Sequence, residues 1–289
     1  MNAKFLNWII LISLALVWGS SFILINRGLK AFPPDQLGAY RIFIAGIFML
    51  PFAFFHFKKE HLKHWKGFLG MGLFGNFMPA FLFAKAETGL SHALTGMLNS
   101  LTPLFTLLLG VLFFGNKTKW INVIGILIGM LGASALLYIG EKNDLSKNLD
   151  YGIYIIIATV SYGLSVNIIQ KTMKNVNAVT ATTYAMIFIG IPAGIYLFTT
   201  NFISKVTTHE NGMSSLVYTS ILGILGTAVS VIVFNELVKR TSGLYASSVT
   251  YLIPIVAIFW GITDGESILW LHFLCIGVIL TGIYLVTRK

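Results

Sequence analysis

Two prolines each follow a polar residue by four positions, in apolar stretches that lie far apart in the chain. Asn99 precedes Pro103, and Thr250 precedes Pro254. A proline inside a helix removes one main-chain hydrogen bond and leaves the carbonyl about four residues earlier without its donor. Because that carbonyl and the polar side chain belong to the same residue, each stretch predicts a local group of hydrogen-bonding atoms. Such a group could bind a polar solute, and a plain structural kink is the alternative.

Other polar and aromatic side chains also fall inside apolar stretches. Buried amides such as Asn76 need a partner, and a hydrogen bond between helices is as expected as a bond to substrate. Hydroxyl groups often bond back to their own helix, and aromatic rings pack between helices as readily as they line a cavity. The substrate-binding candidates are Trp18, Arg41, Asn76, Asn99, Tyr162, Thr227, Ser230, Thr250 and Tyr251.

Arg41 is the charged member of this set. It lies about four residues inside a predicted membrane span, which corresponds to roughly 6 Å of helix. Snorkelling of the guanidinium to the membrane interface is the favoured interpretation. Binding of a substrate carboxylate is the second interpretation.

The remaining ionisable residues do not indicate catalysis. Glu87, Glu236, Asp264 and Glu266 all lie near the ends of apolar stretches, so a proton relay through a deep carboxylate is not expected. His92 also lies near an end, where a water-wetted interface is expected. The sequence has neither a phosphate-binding GxxxxGK[ST] loop nor a zinc-binding HExxH motif. We therefore predict that the chain is not an enzyme and needs no cofactor or metal.

The composition of the chain is typical of a membrane protein. Apolar residues make up 56% of the chain and charged residues 10%, whereas a soluble domain has about 25% charged residues. Apolar runs of 18 or more residues predict transmembrane helices. The predicted spans are approximately 7–25, 37–57, 67–86, 93–114, 120–139, 151–169, 178–199, 215–237, 244–263 and 268–287.

The second half of the chain repeats the first. A shift of 151 residues places Phe83 on Phe234, Ser91 on Ser242 and Pro103 on Pro254, and a shift of 150 places Trp120 on Trp270. We expect a first repeat at 1–140, a linker at 141–150 and a second repeat at 151–289. Five helices per repeat would make the two repeats cross the membrane in opposite directions, with a substrate site near the midplane. The predicted fold is an all-α integral membrane protein with ten transmembrane helices in two inverted five-helix repeats.

The basic residues predict how the chain is oriented in the membrane. Loops on the side of the termini carry 13 Lys and Arg residues, and loops on the other side carry 6. The positive-inside rule therefore places both termini in the cytoplasm. The net charge of +10 is explained by these loops, so nucleic acid is not an expected partner.

Several short motifs support a family resemblance. They are Trp18-Gly19-Ser20-Ser21-Phe22, Arg41-Ile42-Phe43 and the two proline-containing stretches, each followed by a glycine-centred turn. With these motifs the chain resembles permeases of the drug/metabolite transporter superfamily that have two EamA-type domains. In that family the turn commonly reads Gly-Glu, as in Gly265-Glu266, whereas the first repeat has Gly115-Asn116.

The resemblance covers nearly the whole chain and implies a function. It implies alternating-access transport of small metabolites such as amino acids, often outward, in a bacterial inner membrane. A membrane-embedded sensor or scaffold without transport is the alternative, and an intramembrane enzyme is a third. The expected partners are a small-molecule substrate and the lipid bilayer, and the sequence leaves open whether the chain forms a homodimer.

Overall fold

The computed structural model describes residues 3–56, 63–117, 119–139 and 145–287. Within these ranges the regular structure is helical, and no strand occurs. Phe57, at the predicted end of the second span, and residues 141–144 of the predicted linker lie outside the described residues.

The first half of the chain forms the helices α1 (Ala3–Gly19), α2 (Ser21–Leu29), α3 (Pro34–His56), α4 (Trp65–Gly72), α5 (Met78–Ala86), α6 (His92–Asn99), α7 (Thr102–Phe114) and α8 (Trp120–Ile139). The second half forms α9 (Leu145–Thr172), α10 (Ala178–Phe198), α11 (Phe202–Thr208), α12 (Gly212–Ile221), α13 (Ser230–Arg240), α14 (Gly243–Ser247), α15 (Ile253–Thr263) and α16 (Trp270–Thr287).

Several of these helices join into longer apolar runs. Among the described residues, nine runs are long and apolar enough to cross a membrane, and a shorter apolar helix covers Trp270–Leu285. Each predicted span overlaps one of these helices. The largest difference is at α9, which begins at Leu145, six residues before the predicted start.

Both central prolines break their helices. Pro103 lies in the first turn of α7, and Pro254 lies in the first turn of α15, after a short 3₁₀ segment, Ser248–Tyr251. A proline is tolerated in the first turn of a helix because its nitrogen needs no partner there. The predicted kinks are therefore complete interruptions, each of which starts a new helix.

Two π-helical segments lie at equivalent places in the two halves. The first, Leu73–Phe77, joins α4 to α5, and the second, Leu222–Val229, joins α12 to α13. These π segments were not predicted from the sequence. Each shifts the helical hydrogen bonds from four to five residues and so changes the direction of the side chains beyond it.

Helices of one half pack against their counterparts in the other half. α3 packs against α10, and α8 packs against α16. Glycines on one face of α8 allow α16 to approach it closely. A Cβ atom added to Gly282 of α16 would lie 2.5 Å from the main-chain nitrogen of Gly129 and 2.6 Å from the carbonyl oxygen of Gly125.

Candidate functional site

A central cavity lies between the two halves, next to both π segments and both helix breaks. Its volume is about 90 Å³, and a single water requires only roughly 10–15 Å³ on the same measure. The cavity therefore has room for several waters or for part of a small solute.

Six of the nine predicted binding residues line this cavity. They are Trp18, Arg41, Asn76, Asn99, Tyr162 and Thr250. Thr227 lies directly behind the wall, and its hydroxyl oxygen accepts a hydrogen bond of 2.8 Å from Nε of Arg41. Ser230 and Tyr251 are not among the described residues of the wall. The Ser230 hydroxyl donates instead to the Leu225 carbonyl, at 2.7 Å.

Arg41 is placed differently from the favoured interpretation. Its residue is only 8% exposed, and it belongs to the cavity wall. The snorkelling interpretation is wrong for this structure, because the guanidinium is held inside the bundle by Thr227 of the second π segment.

The helix breaks satisfy their own main-chain groups in part. The Thr102 hydroxyl donates to the Asn99 carbonyl oxygen at 2.9 Å, so the expectation that this carbonyl stays open to a ligand is wrong. The Thr250 hydroxyl donates to the Ser247 carbonyl oxygen at 2.9 Å. The side-chain amide of Asn99 lies at the cavity, with its oxygen 3.4 Å from the Thr102 hydroxyl, and Asn99 is 5% exposed.

The two π segments carry equivalent polar residues. Nδ2 of Asn76 lies 3.5 Å from the Met71 carbonyl oxygen, and the Thr227 hydroxyl lies 3.2 Å from the Leu222 carbonyl oxygen. Each contact spans five residues, as the π geometry requires. Because π turns occur frequently at functional sites, this pairing supports a role for both segments. In the sequence, each of these polar residues directly follows a glycine, as Gly75-Asn76 and Gly226-Thr227.

Two aromatic pairs of the cavity wall are also related by the repeat, because Tyr162-Gly163 stands in the second half where Trp18-Gly19 stands in the first, and Phe234 is the counterpart of Phe83. The ring centroids of Trp18 and Phe234 lie 5.3 Å apart, and those of Tyr162 and Phe83 lie 5.9 Å apart. The Trp18 indole nitrogen donates to the Gly226 carbonyl oxygen at 2.9 Å. Each half therefore supplies one aromatic ring to each pair.

Beyond the cavity, a charged network closes one end of the bundle, which we call the distal end. Arg27 pairs with Asp264. Nδ1 of His92 lies 3.3 Å from Glu87, and Nε2 of His92 lies 3.3 Å from Asp264. The main-chain nitrogens of His92 and Ala93 donate to the two oxygens of Glu266, at 2.6 and 3.1 Å. Sequence reasoning missed this network.

The placement of His92 corrects a prediction. His92 is 3% exposed, so it does not lie at a water-wetted interface, and its neighbour Glu87 is 5% exposed. Glu87 directly follows Ala86, the last residue of the third apolar run. Burial raises the pKa of the Glu87 carboxyl to about 7, although the hydrogen bond and charge of His92 lower it.

The two glycine-centred turns share a backbone but make different contacts. Gly115 and Gly265 both adopt the left-handed conformation, with φ of 72° and 81°. After Gly265, the Glu266 carboxylate reaches the first turn of α6 in the other half. After Gly115, the Asn116 amide lies 3.3 Å from the Asn167 side chain on α9. The two turns therefore make different contacts at the two ends of the bundle: a carboxylate accepts from main-chain nitrogens at one end, and two side-chain amides interact at the other.

The profile of the EamA-like transporter family matches residues 6–138 and again residues 151–288. The chain belongs to the EamA-like transporter family. This match confirms the resemblance drawn from the sequence motifs, and it shows two copies of the family domain in one chain.

Relatives of this EamA-like transporter cover nearly its whole length. The uncharacterized inner membrane transporter YedA of Escherichia coli (strain K12) is 25% identical over 96% of this chain and 89% of its own length. An uncharacterized transporter of Archaeoglobus fulgidus is 26% identical over 98% and 99%. A probable amino-acid metabolite efflux pump of Escherichia coli (strain K12) is 24% identical over 93% and 90%. One crystal structure shares the fold, with a TM-score of 0.66 and 16% identity over 96% of this chain and 95% of that one.

These findings define the general class of the protein. The EamA-like transporter is an integral membrane protein with a multi-helix bundle, and its family and named relatives are membrane transporters of small molecules. In the described residues, no group of three or more His, Cys, Asp or Glu side chains is arranged to hold a metal ion.

Proposed function

We propose that this EamA-like transporter moves small organic metabolites across the membrane by alternating access, with the central cavity as its substrate site. The observation that carries the proposal is the composition of the cavity wall. Equivalent residues of both halves meet there, namely Asn99 with Thr250 and Trp18 with Tyr162. In transporters built from inverted repeats, the binding site lies between the repeats near the middle of the membrane.

The pairing of helices supports an inverted repeat. Contacts between counterpart helices, α3 with α10 and α8 with α16, are what a twofold axis between two related halves would produce. In the proposed architecture ten helices cross the membrane, five in each repeat, and α16 is the tenth. Both termini face the cytoplasm, in agreement with the distribution of Lys and Arg residues.

The polar groups at the cavity support a binding role. Asn76, Asn99 and Thr250 are 5–8% exposed. Buried polar groups in a membrane protein are energetically unfavourable unless protein, water or ligand provides a hydrogen-bond partner. The broken helices and π segments place main-chain irregularities beside the same cavity, which is where such irregularities are tolerated in a membrane protein.

The distal network supports a cycle with two states. It connects the α5–α6 turn of the first half to the α15–α16 turn of the second half. If the distal end faces the outside, the present arrangement closes the outer entrance. Alternating access then requires the Glu266 contacts with α6 to break when the substrate site opens outward.

Amino acids and related metabolites are the first substrate class to test. The family resemblance implies this class, and a relative at 24% identity is named a probable amino-acid metabolite efflux pump. Purified protein in proteoliposomes should exchange labelled for unlabelled substrate from such a panel, and empty liposomes should not. Asn99→Leu should reduce the exchange, whereas Ser230→Ala, away from the wall, should leave it nearly unchanged. A compound that binds the cavity but never crosses the membrane would favour the sensor or scaffold alternative.

A further inference from the structure

The charge of the cavity wall limits what the cavity can bind. Arg41 is the only charged side chain among the described residues that line it. Arg41 is 92% buried. Within the described part of the chain, no carboxylate oxygen lies within 4 Å of its guanidinium nitrogens. A buried cation without a paired anion is unfavourable in a membrane protein unless a ligand or water completes it.

The geometry of Arg41 leaves the outer part of its guanidinium available. Nε donates to the Thr227 hydroxyl at 2.8 Å, and this contact fixes the group against the second π segment. Within the described ranges the two terminal nitrogens donate no hydrogen bond to the protein, so they are available to a ligand. A guanidinium presents these donors as a planar fork that matches the two oxygens of a carboxylate.

The other residues of the cavity wall indicate which groups the rest of the ligand could carry. Five aromatic rings contribute to it, those of Trp18, Phe22, Phe83, Tyr162 and Phe234. Such rings bind apolar or aromatic groups by contact and stacking. The described wall contains no Asp or Glu side chain, so a ligand ammonium group would find no carboxylate partner there.

We propose that Arg41 binds the carboxylate of the transported substrate, and that the substrate class is small organic carboxylates with an apolar or aromatic body. This inference rests on the proposed function, because it takes the central cavity as the substrate site. An ammonium group on the substrate is tolerated but not required, so a zwitterionic amino acid binds no better than the same acid without its amino group.

Glu87 provides the competing explanation for Arg41. Its buried carboxylate is close enough to interact electrostatically with Arg41, so it could serve as the counter-ion in place of a ligand. Glu87 is held by His92 at 3.3 Å, and His92 in turn contacts Asp264. The two explanations differ in their consequence for ligand choice, because only a ligand-binding Arg41 requires a carboxylate on the ligand.

A binding experiment on the purified full-length protein separates these explanations. Calorimetric titration at pH 7.5 would compare 3-phenylpropanoate, its amide 3-phenylpropanamide, phenylalanine and phenethylamine. The acid should bind, phenylalanine should bind no more tightly, and the amide and the amine should bind about tenfold or more weakly, as expected for loss of a charge-assisted hydrogen-bonded pair. Equal binding of the acid and its amide would overturn the proposal, and so would the absence of binding by all four compounds.

Variants then assign the effect to Arg41. Arg41→Gln should weaken the acid about tenfold or more while leaving the weak binding of the amide unchanged, and Arg41→Lys should restore part of the affinity because it keeps the charge without the fork. Glu87→Gln should preserve the preference for the acid over its amide. Unchanged affinity for the acid in Arg41→Gln would overturn the proposal. If Arg41→Gln does not fold, the comparison of acid and amide on the unmodified protein still decides.

Transport measurements keep this inference separate from the proposed function. Flux of a neutral amide as fast as that of its acid in proteoliposomes would support transport and reject the Arg41 proposal. Binding that requires a carboxylate, without any flux, would support the Arg41 site and reject transport.

Discussion

At the residue scale, Asn99 combines a satisfied carbonyl with a side-chain amide at the cavity. The Thr102 hydroxyl donates to the carbonyl oxygen, so this carbonyl has a partner without a ligand. The amide oxygen also lies 3.4 Å from the Thr102 hydroxyl, and we propose that the amide acts mainly in substrate binding. We predict that Asn99→Leu weakens substrate binding by about 1–3 kcal/mol, the usual range for leaving a buried polar partner unpaired.

The thermal stability of Asn99→Leu without substrate should change much less than its affinity. Binding titrations and melting curves of the purified variant measure the two effects. Ser230→Ala is the matched control, because the Ser230 hydroxyl bonds to the Leu225 carbonyl and not to the cavity. Full affinity in Asn99→Leu, with a lowered melting temperature, would show that the residue only holds helices together.

Glu87 gives a second prediction, on the pH dependence of stability. Its folded-state pKa of about 7 is higher than its ordinary value of 4.5, mainly because of burial. Between these values the folded protein binds more protons than the unfolded chain, so this group's contribution is full below pH 4.5 and falls as the pH rises through 7. Melting curves in detergent should therefore show unmodified protein losing stability relative to Glu87→Gln over this range.

The groups that surround Glu87 sharpen the interpretation of this measurement. His92 faces it directly, Asp264 and Glu266 lie on the other side of His92, and Arg41 contributes positive charge from the cavity. Because Glu87→Gln also removes the contact between the Glu87 carboxylate and His92, the difference between the two curves reports the Glu87–His92 pair, with Asp264, Glu266 and Arg41 left in place. Parallel curves from pH 4.5 to 7 would contradict the raised pKa.

Several residues of the cavity wall could be predicted because polar groups in apolar spans have few uses. That reasoning found Asn76, Asn99 and Thr250 at the cavity. It could not separate them from Ser230 and Tyr251, which share the same sequence environment. Successive residues on a helix differ in direction by about 100°, and the π segment before Ser230 changes that direction further. Sequence spacing alone does not contain this rotation.

At the scale of elements, Glu266 joins two helices from different halves. Its carboxylate accepts from both main-chain nitrogens at the start of α6, where the helix dipole also favours a negative charge. We predict that Glu266→Ala lowers the free energy of unfolding by about 1–3 kcal/mol, since hydrogen bonds to charged groups are in that range.

Glu236→Ala provides a matched control for Glu266→Ala. The Glu236 side chain is 41% exposed and pairs with Arg240 one helical turn away, and exposed pairs of this kind contribute about 0.3–0.5 kcal/mol. Thermal unfolding of both variants in detergent tests the contrast. Similar, small effects in the two would show that the Glu266 contacts do not stabilise the packing of α6 on α15.

The elements themselves could be predicted from apolar run length, but their interruptions could not. The prolines predicted a distortion in each half, and the structure shows a full break because Thr102 and the 3₁₀ segment before α15 let a new helix begin there. The π segments left no equally direct signal. Next to the first π segment, the Ser165 hydroxyl lies 3.4 Å from the Met71 carbonyl oxygen, and sequence spacing does not show such a contact between residues 94 positions apart.

At the scale of the whole molecule, the distal network joins the two halves through contacts that the internal repeat did not predict. Arg27, Glu87 and His92 come from the first half, and Asp264 and Glu266 come from the second. Aligning the halves relates equivalent residues, but this network joins residues that are not equivalent. The first repeat has Asn116 where the second has Glu266, so the difference between the two ends was visible in the sequence while its contacts were not.

The orientation of the bundle is the last prediction, and it depends on the charge of the loops. The excess of Lys and Arg, 13 against 6, places Asn175 in the cytoplasm and Glu210 outside. Both residues are exposed in turns between helices. A cysteine at each position would be introduced separately into a Cys275→Ser background, since Cys275 is the only native cysteine. In intact cells a membrane-impermeant maleimide should label Glu210→Cys and should label Asn175→Cys only after permeabilisation. The opposite pattern would invert the proposed topology and would place the charged distal network at the cytoplasmic entrance.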